Sequence, residues 1–220
     1  DRFRIWYICC SPKYNEDYTE RLAKDGRIAY AVSRDGLHWE RPNLGIHEYA
    51  GSRDNNIVIP GPWGVCSVHF DPRDPDPSRR YKAQVRYNCH SAFFSPDGIH
   101  WSEQGRMSLS AFDRSSVHWH PIEQHWFAST KNWHKVPGLE DQRGRGYAES
   151  DDFLSWGPLS YMCGTSPDSG EIVYGLEPFY YESQFFGLWD RYRHEPLGLL
   201  DVQLAVSHKG RHWTRPSDKA

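Results

Sequence analysis

Three carboxyl groups, Asp113, Glu177 and Asp190, carry the chemistry this chain is best equipped to perform. Cleavage of a glycosidic bond takes two carboxyl groups flanking it, one protonated to donate to the leaving oxygen and one ionised. Glu177 stands between Leu176 and Pro178-Phe179, apolar neighbours that favour the protonated form, and is the expected acid. Asp113 is followed by Arg114, Ser115 and Ser116, which stabilise negative charge, and is the expected ionised partner. Asp190, in Trp189-Asp190-Arg191-Tyr192-Arg193, is the third member. Asp168 and Glu171 are further carboxylates nearby in sequence. The expected substrate-binding set is Asp54, Arg86, Asn88, Lys131, Asn132 and Arg191, with Arg86 or Arg191 beside the carboxyl groups. An Arg fork suits a carboxylate or sulfate on a sugar. The same cations also serve as counter-ions for catalytic carboxylates, and that role is favoured.

Other conspicuous residues read as structural. Asp35, Asp71 and Asp97 fall in tight turns, where an Asp side chain accepts from backbone N–H groups two residues on. The 12 His include no HExxH or comparable spacing, so no metal ligand is assigned. No cofactor is called for, although a structural calcium is compatible with the pattern. The five Cys, odd in number and unevenly spaced, form neither a disulfide framework nor a CxxC pair. A formal net charge of −3 supplies no basic field for nucleic acid. No apolar run approaches the roughly 18 residues of a membrane span, and no signal-peptide core stands near the start. The expected partner is a carbohydrate. Oligomeric state and localisation stay open, with a secreted or periplasmic setting favoured.

A repeat must position these residues. Ser33-Arg-Asp-Gly-Leu-His-Trp39 returns as Ser95-Pro-Asp-Gly-Ile-His-Trp101, Ser150-Asp-Asp-Phe-Leu-Ser-Trp156 and Ser207-His-Lys-Gly-Arg-His-Trp213, at intervals of 62, 55 and 57 residues. A period of this size signals stacked supersecondary units that cannot bury their apolar faces alone. An alternating strand precedes each serine, and each Trp opens the next strand. Asp-Gly between two such runs is a hairpin signal, because Gly accepts positive φ. The chain therefore reads as an all-β propeller of four-stranded antiparallel blades, five-bladed in type with about four blades visible. The blades span about 1–45, 46–106, 107–160 and 161–220, the first lacking its opening strand. Trp39, Trp101, Trp156 and Trp213 are expected to lie buried between blades.

In such a meander the turns joining strands 1 and 2, and those joining 3 and 4, share one face. The 2–3 loops and interblade segments share the other, and the candidate residues fall there, on loops held by a rigid scaffold.

Phe94-Ser-Pro-Asp-Gly-Ile-His-Trp101, Gly146-Tyr-Ala-Glu-Ser-Asp-Asp-Phe-Leu-Ser-Trp156 and Asp201-Val-Gln-Leu-Ala-Val-Ser207 resemble blades of the five-bladed propeller glycosidases of the family 32/43 type. The likeness is strongest to family-32-like proteins of environmental bacteria and covers nearly the whole chain. It implies an Asp nucleophile or base, a second Asp and a Glu acid, each from a different blade. By blade position Asp113 matches the second and Glu177 the third, while a Trp-Met-Asn-Asp-Pro-Asn-like opening is missing. The leading expectation is a glycoside hydrolase acting on a plant or algal poly- or oligosaccharide. Its rival is a non-catalytic carbohydrate-binding or interaction propeller, and a phosphorylase stands third.

Overall fold

The computed structural model describes residues 2–10, 26–61, 66–86, 89–112, 114–134, 142–165, 169–194 and 198–216. Asn88, Asp113 and Asp168 lie outside the described residues. Four antiparallel sheets follow one another along the chain, with one short 3-10 turn at Pro77–Arg79 and no α-helix among the described residues. They are propeller blades.

The first sheet holds β1 (Phe3–Cys10), β2 (Gly26–Ser33), β3 (Trp39–Glu40) and β4 (Ile57–Ile59). Both short strands pair with β2, so its outer edge is shared between two pieces of chain. The second holds β5 (Cys66–Phe70), β6 (Tyr81–Arg86), β7 (His90–Ser95) and β8 (Ser102–Arg106) in sequence order. The third has β9 (Ser116–His120), β10 (His125–His134), β11 (Gln142–Ser150) and β12 (Ser160–Gly164), again in order. In the fourth, β13 (Glu171–Tyr181), β14 (Gln184–Arg193) and β15 (Leu199–Ser207) are followed by an isolated Val206–Thr214 bridge where a fourth strand was expected. The chain divides into two compact units, Asp1–Arg106 and Met107–Ala220.

The repeated turn explains its own sequence. In the first three copies the serine hydroxyl donates to the Asp carboxylate (Ser33 to Asp35, Ser95 to Asp97, Ser150 to Asp152), at 3.0–3.1 Å. The same Asp oxygen accepts from the backbone N–H groups two and three residues on. His38 and His100 add Nδ1 contacts to their Asp at 2.7 Å, so these histidines are turn chemistry. The connection is therefore a five-residue loop closed by the Ser33–Trp39 pair, longer than a two-residue Asp-Gly hairpin. Gly36, Gly98 and Gly210 adopt positive φ at one shared position, and Phe153 takes φ 72° there despite its side chain. The fourth copy has Lys209 where the others have Asp, and Ser207 Oγ is left buried without a partner.

In all four copies the Trp indole N–H donates to the carbonyl three residues back, at 2.8–3.2 Å. Burial of the ring differs. Trp156 and Trp213 are buried and Trp101 partly so, the last packing edge-on against Trp6. Trp39 is 41% exposed, against expectation. Trp213 reaches its place through Gly187, where a Cβ would stand 2.8 Å from the indole. Its ring joins Phe127, Tyr147, Leu176, Phe185 and Trp189 in the core of the second unit. In the first unit Ile28, Tyr30, Ile59, Val85 and Phe93 form the corresponding core.

Candidate functional site

Within the second unit, two sheets bring Glu177 and Asp190 into one cluster with three arginines. Glu177 lies on β13 and Asp190 on the neighbouring β14. The register shifts between Val173 and Gly175, so that Asp190 lies opposite Gly175 while Tyr174 is the extra, bulged residue. Gly175 is needed here, since a Cβ would overlap the Asp190 carboxylate and approach Arg114 Nη2 to 3.2 Å. Arg114, from the segment before β9, donates to and ion-pairs with Asp190. Its guanidinium and that of Arg143 both lie over the Tyr174 ring, at 5.4 and 4.2 Å, and Arg143 also donates to the Tyr174 carbonyl.

Burial pushes the Glu177 carboxyl above the ordinary glutamate range. A hydrogen bond from Ser116 and the charges of Arg145 and Arg114 pull the other way, while the Asp190 charge adds to the rise. Ser116 in turn meets Nε2 of His118 at 2.8 Å, so a hydroxyl and an imidazole stand in line behind the carboxyl. One half-buried carboxyl biased toward its neutral form thus neighbours a second held by a guanidinium. A carboxyl biased toward its neutral form is able to donate a proton.

Arg191 does not join this cluster. Arg191, one residue from Asp190, points to the opposite face of β14, as strand alternation demands. There it forks onto Asp201 at 2.8–2.9 Å and reaches Glu171 at 3.1 Å. The cation beside Asp190 is Arg114 instead. Lys131 lies with its ammonium 5.8 Å over Phe112, at the end of β10 bearing Asn132. The Asn132 side chain accepts from the Trp133 N–H and packs over Gly146. In the first unit, Arg86 ends β6 at the edge opposite the Asp71 and Asp97 turns, and Asp54 is exposed in the segment before β4. Asp71 does more than shape a turn: it receives the buried Lys82 ammonium at 3.1 Å and pairs with Arg73. A cleft of about 690 Å³ in the first unit, lined by His47, Ile59, Trp101 and Glu103 among others, contains none of the candidates among the described residues.

Sequence reasoning passed over Arg143, Arg145 and Tyr174. A signal existed for Arg145, since the flanking Gly144 and Gly146 inside a strand mark a close backbone approach. A Cβ on Gly144 would stand 2.8 Å from the Cys163 carbonyl.

The fold and this cluster define the class, an all-β propeller of four-stranded antiparallel blades with a carboxyl–guanidinium site. Solved structures of similar fold include several glycoside hydrolases. A GH32 β-fructofuranosidase from Bombyx mori superposes with a TM-score of 0.58 at 16% identity over 99% of this chain and 46% of its own. A thermostable family-43 glycoside hydrolase gives 0.59 at 13% identity, over 88% of this chain and 65% of its own. A β-1,2-mannobiose phosphorylase from Listeria innocua gives 0.56 at 14% identity, over 84% and 50%. The chain spans less than half the length of the β-fructofuranosidase. No protein-family model matches the chain, and no curated protein matches it significantly by sequence.

Proposed function

We propose that this chain is the catalytic propeller of a glycoside hydrolase acting on a poly- or oligosaccharide, with Glu177 as general acid. Asp190 or Asp113 is the ionised partner. The observation that carries the reading is the half-buried Glu177 carboxyl, raised by burial, beside an Asp190 already paired with Arg114. Lys131 and Asn132 are proposed as sugar contacts in the second unit, and Asp54, Arg86 and Asn88 as sugar contacts in the first.

A ring of the five-bladed type is part of the proposal. Support comes from two sheet faces of the kind a further blade covers. Phe179, Leu188, Val202 and Leu204 are 46–60% exposed on the fourth sheet, and Phe3, Ile5 and Trp39 are 41–57% exposed on the first.

A panel of plant and algal glycans, scored for hydrolysis and binding together, tests the reading. Glu177→Gln is expected to abolish turnover by orders of magnitude while sparing sugar binding. Near-normal activity in that variant overturns the assignment and passes the role to Asp190 or Asp168. Binding without hydrolysis across the panel would favour a non-catalytic propeller. A phosphorylase is the second enzymatic reading, favoured by Arg114, Arg143 and His118 near the carboxyl pair. Repeating the panel with inorganic phosphate decides it, since only a phosphorylase would release sugar phosphate.

A further inference from the structure

Arg145, on β11, is among the largest fully buried side chains of the protein. Among the described residues its guanidinium has no carboxylate within ion-pairing distance, and its bonds to them all go to neutral oxygens. Nε and Nη2 donate to Ser129 Oγ at 3.2 and 2.9 Å, and Nη1 donates to the Arg114 carbonyl at 2.7 Å. Ser129 Oγ passes the contact on, donating to the Leu176 carbonyl at 2.9 Å. Burying a charge among neutral partners is costly, and an apolar side chain of similar volume would fill the same space more cheaply. Packing alone does not account for a guanidinium at this position.

The three attachments share a destination. Arg114 is the residue that pairs with Asp190, and the Leu176 carbonyl belongs to the peptide that leads into Glu177. We propose that Arg145 is a positioning residue for the carboxyl pair. Its fork holds Arg114 and the Leu176–Glu177 peptide in place, and its charge supplies the positive field that the Glu177 carboxyl faces. This rests on the reading of Glu177 and Asp190 as the working pair.

Burial pulls the Arg145 guanidinium down to about 10, with Glu177 opposing, so it remains protonated at neutral pH. Among the described residues, the charged and polar groups facing Glu177 are Arg145 from β11, Arg114 just before β9 and Ser116 at its start, with His118 behind, and Asp190 from β14. A carboxyl buried with no cation near would hold its proton too tightly to donate it, and Arg145 offsets that.

The test is a ¹³C NMR titration of side-chain carboxyls in the full chain, with Glu177 assigned from Glu177→Gln. In Arg145→Met, loss of the positive neighbour favours the neutral carboxyl, so the Glu177 midpoint is expected to rise by about one pH unit, tenfold in proton affinity. A folded Arg145→Met with an unchanged Glu177 midpoint overturns the proposal. Should that variant fail to fold, Arg145→Lys decides. It keeps the charge but cannot hold Ser129 and the Arg114 carbonyl together, so the Arg114 guanidinium should loosen and its Nε–H NMR signal exchange faster with solvent. An unchanged Arg114 Nε–H exchange rate there overturns the proposal. The titration needs no substrate, so its failure is separable from failure of the glycosidase reading. On a glycan the wild type cleaves, the alkaline limb of kcat/KM should shift upward with Glu177.

Discussion

Gly175 is where the candidate site can be broken without replacing any of its charged groups. β13 passes β14 so closely there that a methyl group would overlap the Asp190 carboxylate, 3.1 Å from its Cγ and 3.2 Å from Arg114 Nη2. Gly175 is buried and outside the positive-φ region, so alanine meets no backbone penalty and gains about 0.4–1 kcal/mol by restricting the unfolded chain. Against this stands overpacking, about 1–3 kcal/mol. Loss of the Arg114–Asp190 pair adds at most about 1 kcal/mol, because the Arg114 side chain is 43% exposed and solvent screens it. Gly175→Ala should therefore destabilise by about 2 kcal/mol, lowering Tm by about 4–8 °C in a chain of this size. Thermal denaturation followed by circular dichroism measures the loss, and a double-mutant cycle locates it. In an Asp190→Ala background the obstruction is gone, and Gly175→Ala should be neutral or slightly stabilising. An equal loss in both backgrounds would refute the reasoning, because the clash would then lie elsewhere.

The four repeat turns supply further tests. Trp213→Ala should cost about 3–5 kcal/mol and Trp39→Ala distinctly less, since only the first ring is buried in a core; equal losses in denaturant titrations would contradict the packing described. Lys209→Asp should stabilise by about 0.5–2 kcal/mol, by giving Ser207 Oγ and the following backbone N–H groups the acceptor the other turns possess. A lower Tm for that variant would show that the fourth turn cannot adopt the geometry of the first three.

Much of the fold was legible in the chain because its signals are local. The Ser-x-Asp-Gly-x-x-Trp phrase encodes a turn whose hydroxyl, carboxylate and glycine all act within six residues, so position in sequence is position in space. The exceptions have physical reasons. Trp39 carries the same phrase as Trp213 yet lies exposed, because burial depends on a neighbouring sheet that no local pattern reports. The last turn keeps its loop without the Asp, and only a bridge follows it.

The site divides along the same line. From sequence alone came the repeat, the blade-like strands and the choice of Glu177 and Asp190, because alternation and apolar neighbours are written along the chain. Tertiary structure alone decided what those carboxyls meet. Arg191, adjacent to Asp190 in sequence, is turned by strand alternation onto Glu171 and Asp201. Arg114, 76 residues away, takes its place. Arg145 reaches the pair through Ser129 and two carbonyls. Partners of this kind are set by sheet packing, which brings together residues from separate strands and leaves no trace in their spacing.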